Sequence, residues 1–337
     1  MAETILEVVR LKKHFHERQG FLAGLAGRAR VVPAVDDVSF YIKENETLGL
    51  VGESGCGKTT VGRTILGLTP PTSGSVRFEG KEITALPAEE LRRLRGRMQM
   101  IFQDLDAALN PKMRVREILA EAVTVHREAG AAEIARRSAE LLDQVNLNEN
   151  KLSSFPDELS GGEKRRVGIA RALAVGARFL VADEPTSALD VSIQAQVVNL
   201  LADLQKRLRL SYLFISHDLR VVEIISRKVA VMYLGKIVET GLTENIARSP
   251  RHPYTAILWS SLVDKRSVEA SRRVPGPQDR ERGVLDFDRP AAGCPFAPRC
   301  PVHADLGRPA VCTDPGTAPV LSAGGSGHQV ACHFPLS

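Results

Sequence analysis

Nine consecutive residues, Gly52-Glu53-Ser54-Gly55-Cys56-Gly57-Lys58-Thr59-Thr60, limit what this chain can become more than any other stretch. They match the pattern G-x-x-x-x-G-K-[ST] without a gap. The apolar run Thr47-Leu48-Gly49-Leu50-Val51 precedes them, and a periodic segment from Thr60 to Leu68 follows. Strand, glycine-rich loop and helix therefore fall in the order that a phosphate-binding loop requires. Glycines let successive backbone N–H groups turn inward, and the helix N-terminus adds partial positive charge. Lys58 reaches the outer phosphates, and Thr59 offers a hydroxyl to Mg²⁺. A glycine-rich turn with no ligand needs neither the lysine nor both flanking elements. The loop implies a nucleotide and leaves open what its energy is used for.

With 337 residues, 43% hydrophobic and 25% charged, the chain can bury one large core or two modest ones, which excludes a fibre and a wholly disordered chain. No apolar run approaches the ~18 residues that span a bilayer, and Glu3 and Glu7 stand where a signal segment is basic or apolar. A cytoplasmic chain is expected. The net charge of +5, from 45 basic and 40 acidic residues, is met by an ordinary arginine-rich surface and does not by itself argue for nucleic acid.

Strands are expected at Leu6–Leu11, Val38–Ile42, Thr47–Val51, Gly74–Gly80, Met98–Phe102, Phe179–Ala182 and Tyr212–Ser216. Val229–Leu234 and Lys236–Glu239 flank Gly235 as a terminal hairpin, near which the nucleotide fold is expected to end. From Gly20 to Arg30 a Gly/Ala-rich run resembles a flexible loop. Between Asn110 and Pro156, apolar residues recur at helical spacing (Val115, Ile118, Leu119 and Ala122; Ile134, Leu141, Leu142 and Val145). A helical insertion thus interrupts alternating strands and helices, a pattern that argues for a mainly parallel sheet covered on both faces.

Three strand ends carry candidate chemistry. Asp183 closes an apolar strand and Glu184 follows it, so one carboxylate can face the Mg²⁺ shell and the next an attacking water. A surface pair capping a helix is the plain alternative, weakened by Pro185 and the turn Ser187-Ala188-Leu189-Asp190. His217 and Gln103 each follow a strand; taken singly, such residues are more often structural. Ser160-Gly161-Gly162 opens a helix and forms a second anion site.

In this order, Gly52 to Thr60, Gln103, Leu159-Ser160-Gly161-Gly162-Glu163, Phe179 to Glu184, Ser187 to Asp190, and His217 resemble the nucleotide-binding subunit of an ATP-binding cassette (ABC) transporter. The resemblance implies a P-loop α/β fold with a parallel-sheet core, an antiparallel β subdomain and a helical subdomain. It implies an ATPase with ATP and Mg²⁺ as ligands. Gly52, Ser54, Gly55, Cys56, Gly57, Lys58, Thr59 and Thr60 would hold phosphate. Thr59, Gln103 and Asp183 would serve Mg²⁺, Glu184 would act as general base and His217 as the γ-phosphate switch, and Phe15 would stack on adenine. Ser160, Gly161 and Gly162 would face the ATP held by a partner, so that two chains close head to tail. Glu163 replaces the commoner glutamine of that signature.

The segments Phe102-Gln103-Asp104, Leu109-Asn110-Pro111, Val231-Met232-Tyr233-Leu234-Gly235 and Arg251-His252-Pro253-Tyr254-Thr255 resemble, within that family, the ATPases of oligopeptide and dipeptide importers, and the F-type subunit among them. Leu105 and Asp106 depart from the usual Pro-aromatic pair. The partners implied are a second, D-type ATPase, two transmembrane permease subunits and an extracytoplasmic peptide-binding protein, with no nucleic acid. The chain would then sit peripherally at the cytoplasmic face of the membrane. A soluble cassette ATPase acting on nucleic acid, an importer of another cargo such as nickel, and a non-catalytic nucleotide sensor are the competing functions; Glu184 and His217 argue against the last.

Residues 1–255 read as the ATPase domain, with its helical subdomain at about 105–160. Residues 256–290 read as a Pro/Arg-rich linker, and 291–337 as a Cys-rich extension. The tail spacing is Cys294-x₅-Cys300-x₁₁-Cys312-x₁₉-Cys332. In a reducing compartment four thiols argue for metal over disulfides, and a Cys₄ set suits Zn²⁺ or an iron–sulfur cluster. Spacings this long differ from a zinc ribbon, and the tail resembles the region that binds a [4Fe–4S] cluster in this importer branch.

Overall fold

The computed structural model describes residues 3–17, 30–125, 130–260, 293–323 and 327–336. The run from Gly20 up to Arg30, including Phe21, and positions 261–290 of the expected linker lie outside the described residues. Residues 256–260 do not belong to a linker; they complete the helix Pro253–Ser260.

Two sheets form the frame. Strands β1 (Thr4–Glu17), β2 (Arg30–Lys43), β4 (Ser73–Phe78) and β5 (Lys81–Glu82) make an antiparallel sheet in the order β2-β1-β4-β5. The larger sheet uses β3 (Thr47–Val51), β6 (Met98–Ile101), β7 (Phe179–Asp183), β8 (Ser211–Ser216), β9 (Lys228–Tyr233), β10 (Lys236–Leu242), β11 (Ser322–Ala323) and β12 (Gln329–Val330). Its order is β11-β12-β10-β9-β3-β8-β7-β6. From β9 to β6 every neighbour is parallel.

The central strands read as unbroken apolar runs because both of their faces are covered. Successive residues alternate between two cores. Phe179, Val181, Leu213 and Ile215 face the antiparallel sheet together with Val61 and Ile65 of the helix Lys58–Ile65. Leu180, Ala182, Tyr212 and Phe214 face the helices Gly161–Ala174 and Val191–Leu208. A one-residue slip would exchange the two sets, so burial on both sides pins the register. The segment between β6 and β7 holds the helices Leu105–Ala108, Val115–Thr124 and Ala131–Gln144, and Val115, Leu119, Leu141 and Leu142 enter the second core.

The sheet does not close at the β9–β10 hairpin. β12 pairs antiparallel with β10, Glu239 opposite Val330, and β11 pairs with β12, so the tail covers an edge that would otherwise expose unpaired backbone. Two-residue strands carry no periodicity, and the sequence therefore does not announce them. Buried Glu239 reinforces the joint, accepting from the Arg251 and His252 amides at 2.8 and 2.9 Å while His328 Nε2 lies 2.6 Å from the same carboxylate.

Candidate nucleotide site

Ligands of open α/β sheets lie beyond the carboxyl ends of the strands. In this sheet β3, β8, β7 and β6 are consecutive neighbours, and their C-terminal ends lead into residues 52–60, His217, Asp183–Glu184 and Gln103 respectively. The topology thus gathers motifs that are scattered through the sequence.

The loop needs its glycines at particular points. Gly57 has φ +111°, and a Cβ there would lie 2.0 Å from the Ala34 carbonyl oxygen. Gly52 has φ +153°, and a Cβ there would lie 2.2 Å from that of Met232. The loop is held between β2 and the β9–β10 turn, whose Gly235 N–H donates to the Cys56 carbonyl. Cys56 is wholly buried, and burial pushes its thiol pKa up. Lys58 donates from Nζ to the carbonyls of Gly52 (2.8 Å) and Glu53 (2.9 Å), folded along the loop it serves.

Beside the loop, the Thr59 hydroxyl donates to Asp183 Oδ1 at 2.9 Å. Burial raises the Asp183 pKa, opposed by that hydrogen bond. A hydroxyl and a carboxylate side by side form the hard-oxygen set that Mg²⁺ prefers. Glu184 has φ +46°, an uncommon value outside glycine, and its N–H donates to the Ile215 carbonyl of β8. Gln103 Nε2 donates to Glu184 Oε2 at 3.1 Å, and His217 Nδ1 lies 3.2 Å from Glu184 Oε1. One carboxylate is therefore flanked by side chains from two other strand ends. A cleft of about 550 Å³ opens here, lined by Thr59, Gln103, Asp183, Arg63 and Arg171 among others.

Arg63 and Arg171 escaped the sequence reading, as did Arg165. The Arg165 guanidinium donates to the carbonyls of Phe102 (2.9 Å), Gln103 (3.2 Å) and Ser187 (3.4 Å), tying the helix after the signature to the segments around Gln103 and Glu184. Burial lowers its pKa. The only signal for it in the sequence is a basic residue inside a helix that has apolar neighbours.

Ser160 caps the helix Gly161–Ala174, its Oγ accepting from the Glu163 N–H, while Glu163 Oε2 accepts from the Ser160 N–H at 2.9 Å. Lys151 Nζ stands 2.8 Å from the other Glu163 oxygen. The glutamate that replaces the usual glutamine thus completes a capping box and an ion pair, and the Lys151 contact holds its carboxyl below the ordinary range. Ser160 and Gly161 are exposed. Phe15 is also exposed, on β1, with the Lys13 ammonium 5.0 Å above its ring.

The four tail cysteines, far apart in sequence, line a single pocket with Phe296, His252, His303 and Phe334. The His303 N–H donates to Cys300 Sγ at 3.4 Å, and hydrogen bonding by nearby backbone amides works to lower the thiol pKa of Cys294, Cys300 and Cys332. Burial pushes all four thiols up, Cys332 to about 12, against those hydrogen bonds. Among the described residues, no three His, Cys, Asp or Glu side chains converge on the position of one metal ion.

The chain matches two protein families, "ABC transporter" over residues 35–187 and "Oligopeptide/dipeptide transporter, C-terminal region" over residues 238–305. It is 45% identical to a putative peptide import ATP-binding protein of Brucella ovis, over 98% of both chains. It is 44% identical to the oligopeptide transport ATP-binding protein AppF of Bacillus subtilis, again over 98% of both. Among solved structures it resembles the dimeric ATP-binding cassette MJ0796 with ADP and phosphate bound: TM-score 0.62, 26% identity, 71% of this chain and 98% of that one. It also resembles cbiO1 of Clostridium perfringens, part of the transporter complex cbiONQ: TM-score 0.64, 25% identity, 80% and 99%.

Proposed function

Because the chain belongs to the ATP-binding cassette transporter family, in its oligopeptide/dipeptide importer branch, we propose that it hydrolyses ATP to power peptide import through transmembrane permease subunits. The observation that carries the reading is the meeting of Gln103 and His217 on Glu184, beside the Thr59–Asp183 pair at the foot of the phosphate loop.

In this reading the loop amides from Gly52 to Thr60, with Ser54, Gly55 and Cys56 in the turn, bind the phosphates, and Lys58 leaves the loop carbonyls to reach the terminal ones. Thr59, Gln103 and Asp183 would hold Mg²⁺, which supplies charge neutralisation at the transferred phosphate when bound. Glu184 orients the attacking water and takes its proton, and Gln103 and His217 fix the carboxylate and respond to the γ-phosphate. Phe15 offers its exposed face to adenine. Exposed Ser160 and Gly161, with half-buried Gly162, serve the nucleotide of a second ATPase subunit, of D type, this chain being the F-type member. The solved cassette MJ0796 is itself a dimer, which supports pairing of two cassettes. The chain would work at the cytoplasmic face beside a peptide-binding protein. Among the described residues no helix is long and apolar enough to cross a membrane. Its working parts are then an ATPase domain over residues 1–255 that runs on to the end of the helix Pro253–Ser260, with a helical subdomain at about 105–160, a connecting stretch up to 290, and a Cys-rich extension at 291–337.

For that extension we propose a [4Fe–4S] cluster held by Cys294, Cys300, Cys312 and Cys332. The four cysteines line one pocket, and a [4Fe–4S] cluster would take each of them on a different iron, so the ligands need not converge on one point. Anaerobically purified chain is expected to be brown and to carry iron with acid-labile sulfide; stoichiometric zinc without iron would overturn the assignment. For the catalytic role, Glu184→Gln is expected to bind ATP and lose at least about 100-fold in kcat. Unchanged turnover in the assembled complex would remove Glu184 from that role.

A further inference from the structure

A carboxylate is an odd occupant of a loop built to bind anions, yet Glu53 is the first residue after Gly52. The structure gives it a partner from far along the chain. Arg299 Nη1 lies 2.9 Å from Glu53 Oε2 and Nη2 lies 3.0 Å from Oε1, a two-pronged pair spanning 246 positions. The same guanidinium reaches the Tyr233 hydroxyl at 3.4 Å and sits 5.8 and 6.0 Å from the ring centres of Tyr233 and Phe296. The hydrogen bonds to Glu53 raise the Arg299 pKa despite partial burial.

The rest of Glu53 is pinned as well. Its N–H donates to the Tyr254 hydroxyl at 2.8 Å, and its carbonyl accepts from Lys58. Tyr254 packs on Tyr233 and Phe296, with ring centres 4.7 and 5.4 Å away. Arg299 is thus the point where the cysteine-bearing tail grips the phosphate loop, one residue before Cys300, which lines the thiol pocket. A planar fork matched to a carboxylate both cancels its charge and fixes its direction.

We propose that Arg299 is a positioning residue of the nucleotide site, masking the Glu53 carboxylate from the incoming phosphates and anchoring the start of the loop to the tail. The inference rests on nucleotide binding at residues 52–60. With Arg299 removed, a fixed negative charge faces another anion and the loop loses its outer tether. With both charges removed, the repulsion goes too.

The test is binding of fluorescently labelled ADP to the full chain, paired with the steady-state KM and kcat for ATP. Arg299→Ala is expected to weaken binding on the order of tenfold and to raise KM more than it lowers kcat. Arg299→Lys, which keeps the charge and loses the fork, should fall between it and the wild type. The double variant Glu53→Gln/Arg299→Ala should recover most of the lost affinity, which a purely structural role for Arg299 would not permit. Glu53→Gln alone, which leaves Arg299 unmasked beside the loop, should bind several-fold more tightly. That single variant decides the matter if the Arg299 variants fail to fold. Wild-type affinity in Arg299→Ala, no recovery in the double variant, or an unchanged Glu53→Gln would each overturn the proposal. A wild-type chain that binds no nucleotide would instead overturn the function itself.

Discussion

Replacing Arg165 with methionine keeps most of the buried stem and deletes the fork that joins three carbonyls. The contacts to Phe102 at 2.9 Å and Gln103 at 3.2 Å are full hydrogen bonds from a charged donor, whereas the 3.4 Å contact to Ser187 is marginal. Truncating a charged donor costs roughly 1.5–3 kcal/mol per bond, less where water reaches the carbonyls left behind, as it can at these part-buried bonds. Removing a buried cation, whose desolvation already lowers the Arg165 pKa, returns part of that. The balance is a loss of about 2–3 kcal/mol, read as a lower urea midpoint with an unchanged slope. The same change frees the backbone of Gln103, whose side chain holds Glu184, so kcat should fall about tenfold while ADP affinity, set by the loop, stays. Equal urea midpoints and equal kcat for Arg165→Met and wild type would refute the reasoning. A drop in stability with kcat intact would show that Arg165 braces the fold without serving the site.

Two further outcomes concern stability. Burial raises the Asp36 pKa, but the Lys236 hydrogen bond and the Lys236 and Lys12 charges outweigh that and hold its carboxyl below the ordinary 3.8. A depressed native value stabilises fully above 3.8 and is lost as pH falls through it. The stability difference between wild type and Asp36→Asn should therefore shrink from neutral pH to about pH 2 in urea titrations, and a difference that persists undiminished would contradict this. Glu239→Ala deprives two amides and the His328 ring of their acceptor inside the core, and should cost about 3 kcal/mol and speed proteolysis of the tail. Unchanged cleavage would mean that β12 docks without Glu239.

What the sequence alone determined is the part whose chemistry demands particular residue types at short spacing. The loop glycines must let the backbone turn inward, Thr59 must offer a hydroxyl, and Ser160 must open a helix. The alternation of apolar strands such as Thr47–Val51 and Phe179–Ala182 with helices likewise announces a mainly parallel sheet covered on both faces. Tertiary structure alone decided that β3, β8, β7 and β6 lie side by side, so that Gln103, Glu184 and His217 touch. It also decided that Arg165 spans three segments, that β11 and β12 finish the larger sheet, and that Arg299 reaches Glu53. Contacts of that kind join residues tens to hundreds of positions apart. They leave no period or motif in the chain, because their partners are chosen by the way two surfaces pack and not by any local backbone requirement.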